Sequence, residues 1–283
     1  MTFKVAAIQM CSGVDPQKNA DDMARLVREA AAQGASYVQT PEMTGALQKD
    51  RAALRAVLRD ETGDLIVARA SSLARELGIF VHVGSTAIAR PDGKIANRGF
   101  LFGPDGERIC SYDKIHMFDV DLDNGESWRE SSAYEAGTQA RVASLPFATL
   151  GFAICYDVRF PQLFRTEALA GAEILTVPAA FTRQTGEAHW DILLRARAIE
   201  NGAFLVAAAQ GGVHEDGRET YGHSMIIDPW GRVLGEAGAS GEAVIVAEID
   251  IAAVKASRAK IPNLKNAREF SLDRVAASGG VSA

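Results

Sequence analysis

The sequence predicts an α/β protein in which helices cover mixed β-sheets, arranged as one sheet or as two sheets face to face. Three observations predict this class. Short apolar segments alternate with amphipathic helical patterns along most of the chain. Two Pro-Asp-Gly turns, at residues 91–93 and 104–106, separate apolar segments and indicate antiparallel hairpins. No repeat or linker divides residues 1–283, so a single domain is expected.

The first third of the chain shows strand–helix units. Its helical stripes end at Gly34 and Gly78, residues that commonly terminate helices. The predicted elements are a strand at 5–10, a helix at 16–33, a strand at 37–39, a helix at 62–77 and a strand at 79–88.

The second half repeats this alternation and ends in a polar segment. The predicted strands lie at 141–145, 148–156, 174–177, 204–209, 224–228, 233–234 and 244–249, and the predicted helices at 159–170 and 188–200. From about Asn263 the chain is mostly polar and finishes in Gly and Ser, which predicts an extended C-terminal tail.

Charge and cysteine content exclude several classes of function. The net charge of −6 gives no electrostatic reason to bind nucleic acid or an anionic membrane. No apolar run reaches transmembrane length, and the apolar N-terminal segment is too short for a secretory signal, so a cytoplasmic location is expected. The three cysteines are far apart and match no zinc-binding spacing, so we expect reduced thiols and no metal.

Cys155 lies where a strand is expected to turn into a helix. The apolar segment 151–154 precedes it, and Pro161 opens the next helical pattern. Such a turn exposes a side chain at the edge of a sheet and supplies backbone N–H groups to an oxyanion. Most cysteines at strand ends are small core residues, however, and taken alone Cys155 fits that role better.

Glu42 and Lys114 are two further candidates that are individually weak. Glu42 follows a short apolar strand, where desolvation could raise its pKa into the range of a general base; the alternative is an exposed loop residue. Lys114 ends a predicted hairpin strand between apolar neighbours, or extends past them to solvent. His116, two residues later, leaves a Cys–His mechanism open.

Taken together, these segments resemble the nitrilase, or carbon-nitrogen hydrolase, superfamily over nearly the whole chain. The resembling segments appear in the order Glu, Lys, Cys and are residues 7–10, 41–42, 112–116 and 155–161. The resemblance implies an α-β-β-α four-layer sandwich that acts without metal or organic cofactor. It also implies a homodimer or a higher oligomer, with the C-terminal tail reaching the partner.

The resemblance also implies a mechanism. Glu42 would act as general base, Cys155 as nucleophile, and Lys114 with the backbone N–H of Tyr156 as oxyanion stabilisers. A supporting glutamate of the family matches Glu130, although Glu126 and Glu135 lie nearby in the sequence.

The second half resembles one branch, the deaminated-glutathione amidases and omega-amidases. The resembling segments are residues 178–182, 185–190, 194–201, 208–210 and 221–231. The implied small-molecule substrates are 2-oxoglutaramate and deaminated glutathione, which are ω-amides of an α-keto acid. Arg159 or Arg183 could bind the substrate carboxylate, and Phe118 and Phe181 could line the acyl pocket. Arg159 could instead pair with an acid such as Asp157 or Glu167.

Four alternatives remain at this level. A nitrilase or an N-carbamoyl amidohydrolase would use the same residues. A Cys–His thiol enzyme would use His116 or His189, and a non-catalytic binding module would use neither mechanism. A serine hydrolase is disfavoured because Ile226 stands where a G-x-S-x-G turn around Ser224 requires glycine.

Overall fold

Two six-stranded sheets face each other in this protein, and helices cover their outer faces. The structure is a computed structural model that describes residues 1–122, 125 and 127–275. Glu126 and residues 276–283 of the predicted tail lie outside the described residues.

The described helices are α1 (Pro16–Ala32), α2 (Arg51–Val57), α3 (Leu65–Leu77), α4 (Pro161–Leu169), α5 (Arg183–Asn201) and α6 (Ala252–Lys260). The described strands are β1 (Thr2–Gln9), β2 (Tyr37–Gln39), β3 (Phe80–Ala89), β4 (Ile95–Phe102), β5 (Arg108–Asp113), β6 (Asp119–Asp121), β7 (Ser127–Arg129), β8 (Val142–Ser144), β9 (Thr149–Phe152), β10 (Ile174–Thr176), β11 (Phe204–Ala207), β12 (Gly211–Val213), β13 (Glu219–Tyr221), β14 (Met225–Ile227), β15 (Val233–Glu236) and β16 (Ala243–Asp250). After α6, the described chain forms no further helix or strand.

The first sheet has the order β16-β1-β2-β3-β4-β5, and the second has the order β15-β14-β11-β10-β9-β8. Strands β1, β2 and β3 run parallel, as do β9, β10 and β11. Strands β3, β4 and β5 pair antiparallel, which confirms the two hairpins predicted from the Pro-Asp-Gly turns. The carboxyl ends of the parallel strands therefore meet at one edge of each sheet, where ligand sites of α/β proteins commonly lie.

Helix α1 shows how the sequence produces the outer layer. Asp15 caps the helix by accepting a hydrogen bond from the backbone N–H of Gln17, and Pro16 occupies the first turn. Met23, Leu26 and neighbouring apolar residues form the buried face that packs with α3 on the first sheet. On the other side, α4 and α5 pack against β9 and β11.

The layer between the sheets is apolar and contains side chains from both. Val5, Tyr37 and Leu101 of the first sheet lie in one buried cluster with Leu150 and Leu205 of the second. Burial of this layer on both sides explains why the central strands are short continuous apolar runs. The arrangement confirms the predicted α-β-β-α sandwich.

Several predicted element bounds are wrong, and each has a local cause. Strand β9 ends at Phe152 instead of continuing to residue 156, because a 3-10 turn at Cys155–Arg159 begins first. Helix α4 begins at Pro161, whose ring fixes φ for a first helical residue.

Elements with few buried residues were not predicted at all. Helix α2 buries only Leu54, and α6 buries only Val254 and Ser257, so neither shows an apolar stripe. The hairpins β6–β7 and β12–β13 have three residues per strand.

No helix in the described part of the chain is long and apolar enough to span a membrane.

Candidate active site

The predicted Glu, Lys and Cys come together in a cavity of about 460 Å³. Glu42 follows β2, Lys114 follows β5 and Cys155 follows β9, so both sheets contribute to the site. Glu130 and Tyr156 also line the cavity. The volume lies within the range of small-molecule sites.

Cys155 begins the 3-10 turn with a φ of 52°, a left-handed conformation that is strained for a residue other than glycine. Its backbone N–H donates to the carbonyl of Pro178 at 2.8 Å. Asp157 is fully buried and accepts hydrogen bonds from the Ile154 N–H at 2.9 Å and the Tyr112 hydroxyl at 2.8 Å. These bonds hold the strained turn in the position that presents the thiol to the cavity.

His116 supports this turn and does not contact the thiol. Its backbone N–H and its Nδ1 lie 2.9 and 2.6 Å from Asp157 Oδ1, and its ring stacks on Phe160 with centroids 3.5 Å apart. All five histidines are described, and none lines the cavity. The geometry therefore gives no support to a Cys–His pair.

Lys114 lies between two glutamates in the buried floor of the cavity. Its Nζ is 3.0 Å from Glu42 Oε1, and 3.1 and 2.9 Å from the two carboxylate oxygens of Glu130. Asn97 Nδ2 donates to both glutamates, at 2.8 and 3.2 Å. The sequence did not indicate Asn97, because a single asparagine inside a strand carries no motif.

The second carboxylate oxygen of Glu42 is held by the opposite sheet. The backbone N–H of Ala180 donates to Glu42 Oε2 at 2.9 Å, and Gln210 Nε2 donates to the carbonyl of Glu42 at 3.0 Å. Both oxygens of this carboxylate therefore accept hydrogen bonds, so its orientation toward Cys155 is fixed before substrate binds.

Burial and charge set the protonation states of the three central groups. Burial alone would raise the pKa of Glu42, but the charge of Lys114 and hydrogen bonds to the carboxylate lower it below the ordinary 4.5. Burial would lower the pKa of Lys114, but Glu130 and Glu42 hold it well above 10.5. Burial and the charge of Glu42 raise the pKa of the Cys155 thiol well above 9.0. The resting site therefore contains a carboxylate, an ammonium and a thiol.

Gly84 of β3 permits the close approach of the loop that carries Glu42 and the loop at Pro178 that holds Cys155. A Cβ at this position would lie 2.1 Å from the carbonyl oxygen of Thr40, 2.7 Å from that of Pro41 and 2.3 Å from Cβ of Pro178. The loop at Thr40–Pro41 leads into Glu42, and Pro178 accepts the Cys155 N–H. A side chain at residue 84 would therefore push the base and the nucleophile apart.

We expect Gly84→Ala to lower kcat about 100-fold, because a displacement near 1 Å between reacting groups has that effect. The free energy of unfolding should fall by about 1–3 kcal/mol through overpacking. Gly238→Ala is the matched control, since its Cβ would meet no atom within 4 Å. Equal activities of the two variants would contradict the steric role of Gly84.

Aromatic side chains form the walls of the cavity. Phe118 and Phe181 line it, as do Tyr156 and Trp128. The Phe118 and Tyr156 rings meet edge to face with centroids 5.2 Å apart. The Phe118 backbone N–H donates to Glu130 Oε2 at 2.7 Å, which connects this wall to the Lys114 cluster.

The two arginines predicted to bind substrate occupy different positions. The Arg159 guanidinium lies behind the wall, 5.8 and 5.3 Å from the ring centroids of Tyr156 and Phe181, and contacts His189 Nδ1 at 3.2 Å. It does not pair with Asp157 or Glu167, the acids considered from the sequence.

Arg183 does not line the cavity in this structure, and its role in substrate binding stays a prediction. Helix α5 begins at Arg183, which places it in the first turn on the surface rather than in a loop over the pocket. Its side chain is 66% exposed and pairs with Glu187 and Glu219. Arg218, which the sequence did not indicate, lines the cavity instead.

No group of three or more His, Cys, Asp or Glu side chains able to hold a metal ion occurs in the described part of the chain.

Comparison with known proteins assigns the chain to a family. The family described as carbon-nitrogen hydrolase matches residues 4–259. A deaminated glutathione amidase from Yersinia enterocolitica is 39% identical over 267 residues, which cover 93% of this chain and 92% of that relative.

Two solved structures share the fold. The NitFhit protein of C. elegans has a TM-score of 0.87 and 33% identity, and the match covers 94% of this chain but only 65% of that one. Saccharomyces cerevisiae Nit3, a member of branch 10 of the nitrilase superfamily, has a TM-score of 0.83 and 28% identity, with 92% and 94% coverage. These findings confirm the resemblance and the prediction of an amidase, and they show that this chain belongs to the carbon-nitrogen hydrolase family.

Proposed function

We propose that Cys155, Glu42 and Lys114 catalyse amide hydrolysis through a thioester, and that the substrate is an ω-amide of an α-keto acid. The observation that carries the proposal is the buried contact of Lys114 with Glu42, at 3.0 Å, in the cavity that Cys155 also lines. Buried charges at such a site are a common feature of catalytic centres.

Acylation begins from the neutral thiol. Glu42 takes the proton from Cys155 Sγ as the sulfur attacks the amide carbonyl carbon. The carbonyl oxygen becomes an oxyanion, which the Lys114 ammonium and the Tyr156 backbone N–H stabilise. Glu42 then returns the proton to the amine nitrogen, the C–N bond breaks, and a thioester on Cys155 remains.

Deacylation uses the same groups, with water as the nucleophile and the Cys155 sulfur as the leaving group. Glu42 takes a proton from water, and the resulting hydroxide attacks the thioester carbon. The new oxyanion collapses, the C–S bond breaks and the proton returns to sulfur. The products are a carboxylic acid and the free thiol, so no metal or organic cofactor enters the balance.

Glu130 acts as a positioning residue in this proposal. It binds Lys114 through both carboxylate oxygens and accepts the Phe118 N–H, so it aims the ammonium at the oxyanion. Glu130 also leaves Lys114 one carboxylate partner at the stage where Glu42 has taken up the thiol proton and lost its charge.

The substrate class comes from the relatives and from the shape of the site. The curated relative from Yersinia enterocolitica is called deaminated glutathione amidase. Phe118, Phe181 and Tyr156 give an apolar wall for a short acyl chain. Arg159 stands directly behind this wall, and in this proposal its guanidinium meets the acyl carboxylate after a side-chain rearrangement.

The proposal is tested by the release of 2-oxoglutarate from 2-oxoglutaramate and from deaminated glutathione. We expect turnover of at least one of the two, with the ratio of kcat/KM values identifying the preferred substrate. Turnover of N-carbamoyl compounds or nitriles in place of both would overturn the substrate class while leaving the family assignment in place.

The pH dependence of kcat/KM should be flat from about pH 6 to pH 8. The pKa of Glu42 is lowered, so the base loses activity only as pH falls below its ordinary range. The pKa values of Cys155 and Lys114 are raised, so neither group titrates before alkaline pH. A fall in kcat/KM with a midpoint near pH 6.5, the ordinary pKa of histidine, would contradict the Glu42 mechanism.

We further propose a cytoplasmic single-domain protein that forms a homodimer. Leu169 of α4 and Ile192 and Ile199 of α5 are exposed, at 63%, 68% and 51%, and this apolar face supports an interface on the nucleophile side of the sandwich. Light scattering after gel filtration distinguishes a dimer from a higher oligomer, and a monomeric mass would contradict the proposal.

A further inference from the structure

Arg218 is a cationic side chain of the cavity that the proposed mechanism does not use. It lies in the loop between β12 and β13, where its backbone N–H donates to Asp216 Oδ1 at 2.9 Å. Its guanidinium stacks over the Trp128 ring, 4.5 Å from the centroid, and both side chains line the cavity. This stacking fixes the plane of the guanidinium at the cavity wall.

No carboxylate among the described residues forms an ion pair with the guanidinium, although the charge of Asp216 acts on it and raises its pKa against the effect of burial. Its enclosed Nε has no hydrogen-bond acceptor in the described part of the chain. Asp216, its neighbour in the loop, accepts the backbone N–H instead. The guanidinium donates no hydrogen bond to any described residue, and it lines the cavity, so an anionic ligand bound there would supply the missing acceptors.

Arg218 lines the same cavity as Glu42 and Glu130. Arg159, by contrast, does not line it and lies behind Tyr156 and Phe181. Because Glu42 protonates the departing nitrogen in the proposed mechanism, the amine portion of the substrate lies next to Glu42, in the cavity that Arg218 also lines.

We infer that Arg218 binds a carboxylate on the amine portion of the substrate, so that the enzyme selects amides whose leaving amine is itself an amino acid or a peptide. A guanidinium offers a planar pair of N–H donors that matches a carboxylate. The inference rests on the proposed function. It deepens that proposal by preferring deaminated glutathione, whose leaving amine is a peptide that carries a carboxylate, over 2-oxoglutaramate, whose leaving amine is ammonia.

The test compares Arg218→Met with the unchanged protein on both substrates. Methionine retains length and apolar contact with Trp128 but removes the charge. We expect kcat/KM for deaminated glutathione to fall about 10- to 100-fold more than kcat/KM for 2-oxoglutaramate, the range for a charge-assisted hydrogen bond. The loss should appear mainly as a higher KM, because the contact exists before the transition state. Arg218→Lys should restore part of the difference, since it returns the charge without the fork.

Arg28→Met is the matched control, because Arg28 pairs with Glu76 at the surface and does not line the cavity. Equal losses on the two substrates would assign Arg218 a structural or general electrostatic role and overturn the inference, while the proposed function would stand. No loss on either substrate would overturn it equally. If the unchanged protein turned over neither substrate, the proposed function would fail, and the inference with it.

Discussion

Glu42→Gln is expected to lower kcat/KM for the amide substrate by about 10² to 10⁴, the range for loss of a general base. The glutamine has the same shape and still offers an oxygen to the Ala180 N–H, which now donates to Glu42 at 2.9 Å. It cannot take the thiol proton, however, and the raised pKa of Cys155 leaves almost no thiolate at neutral pH. The loss should therefore appear in kcat, because Glu42 serves both acylation and deacylation.

Glu76→Gln is the control for this variant, since Glu76 is half exposed and pairs with Arg28 on the surface. We expect its activity to match that of the unchanged protein. If Glu42→Gln kept more than a tenth of the activity, a histidine or another base would have to serve Cys155, and the assignment of Glu42 would be wrong.

Lys114→Met should damage both stability and catalysis. The variant leaves Glu42 and Glu130 without the ammonium that contacts both, and removing one partner of a buried ion pair typically costs about 3–5 kcal/mol of unfolding free energy. It also removes an oxyanion donor, worth about 100- to 1,000-fold in kcat. Denaturant unfolding and steady-state kinetics measure the two effects separately.

Lys94→Met is the matched control, because Lys94 pairs with Glu135 while 55% of its side chain is exposed. Such a surface pair contributes about 0–1 kcal/mol. Similar unfolding free energies for the Lys114 and Lys94 variants would show that the central ion cluster contributes little to the fold, contrary to the burial of Lys114.

The sequence predicts the parts of the site that follow apolar strands. Glu42 and Cys155 come shortly after buried strands, Lys114 comes directly after the more exposed β5, and the order of their segments identifies the superfamily. The sandwich is predictable for the same reason, since central strands buried on both faces are apolar throughout. The structure adds the geometry, in which Lys114 contacts two glutamates rather than one.

The residues that the sequence misses owe their positions to contacts between distant segments. Asn97 lies within a strand, and only the pairing of β4 with its neighbours places its amide against Glu42 and Glu130. Arg218 belongs to a polar loop that looks solvated in sequence, yet the hairpin brings it to Trp128. Periodicity describes one element at a time and carries no information on such pairings.

The position of Arg183 outside the cavity lining has a different cause. A start of α5 at residue 188 would leave Arg183 in a loop above the pocket, but the helix begins at Arg183. In the first helical turn its side chain points to solvent and pairs with Glu187 four residues later. Helix termini are the features that a sequence pattern predicts least well, and here the observed start lies five residues before the predicted one, which changes the position of Arg183.

The most direct test of the central claim is the initial rate of 2-oxoglutarate release by Cys155→Ala, measured beside Cys110→Ala on the better of the two substrates. Cys110 is a half-buried cysteine of β5 that does not line the cavity, so its variant should keep the rate of the unchanged protein. We predict that Cys155→Ala, folded as judged by circular dichroism, falls to the uncatalysed rate because no other group can form the acyl-enzyme. Retention of substantial turnover by Cys155→Ala would contradict the thioester mechanism.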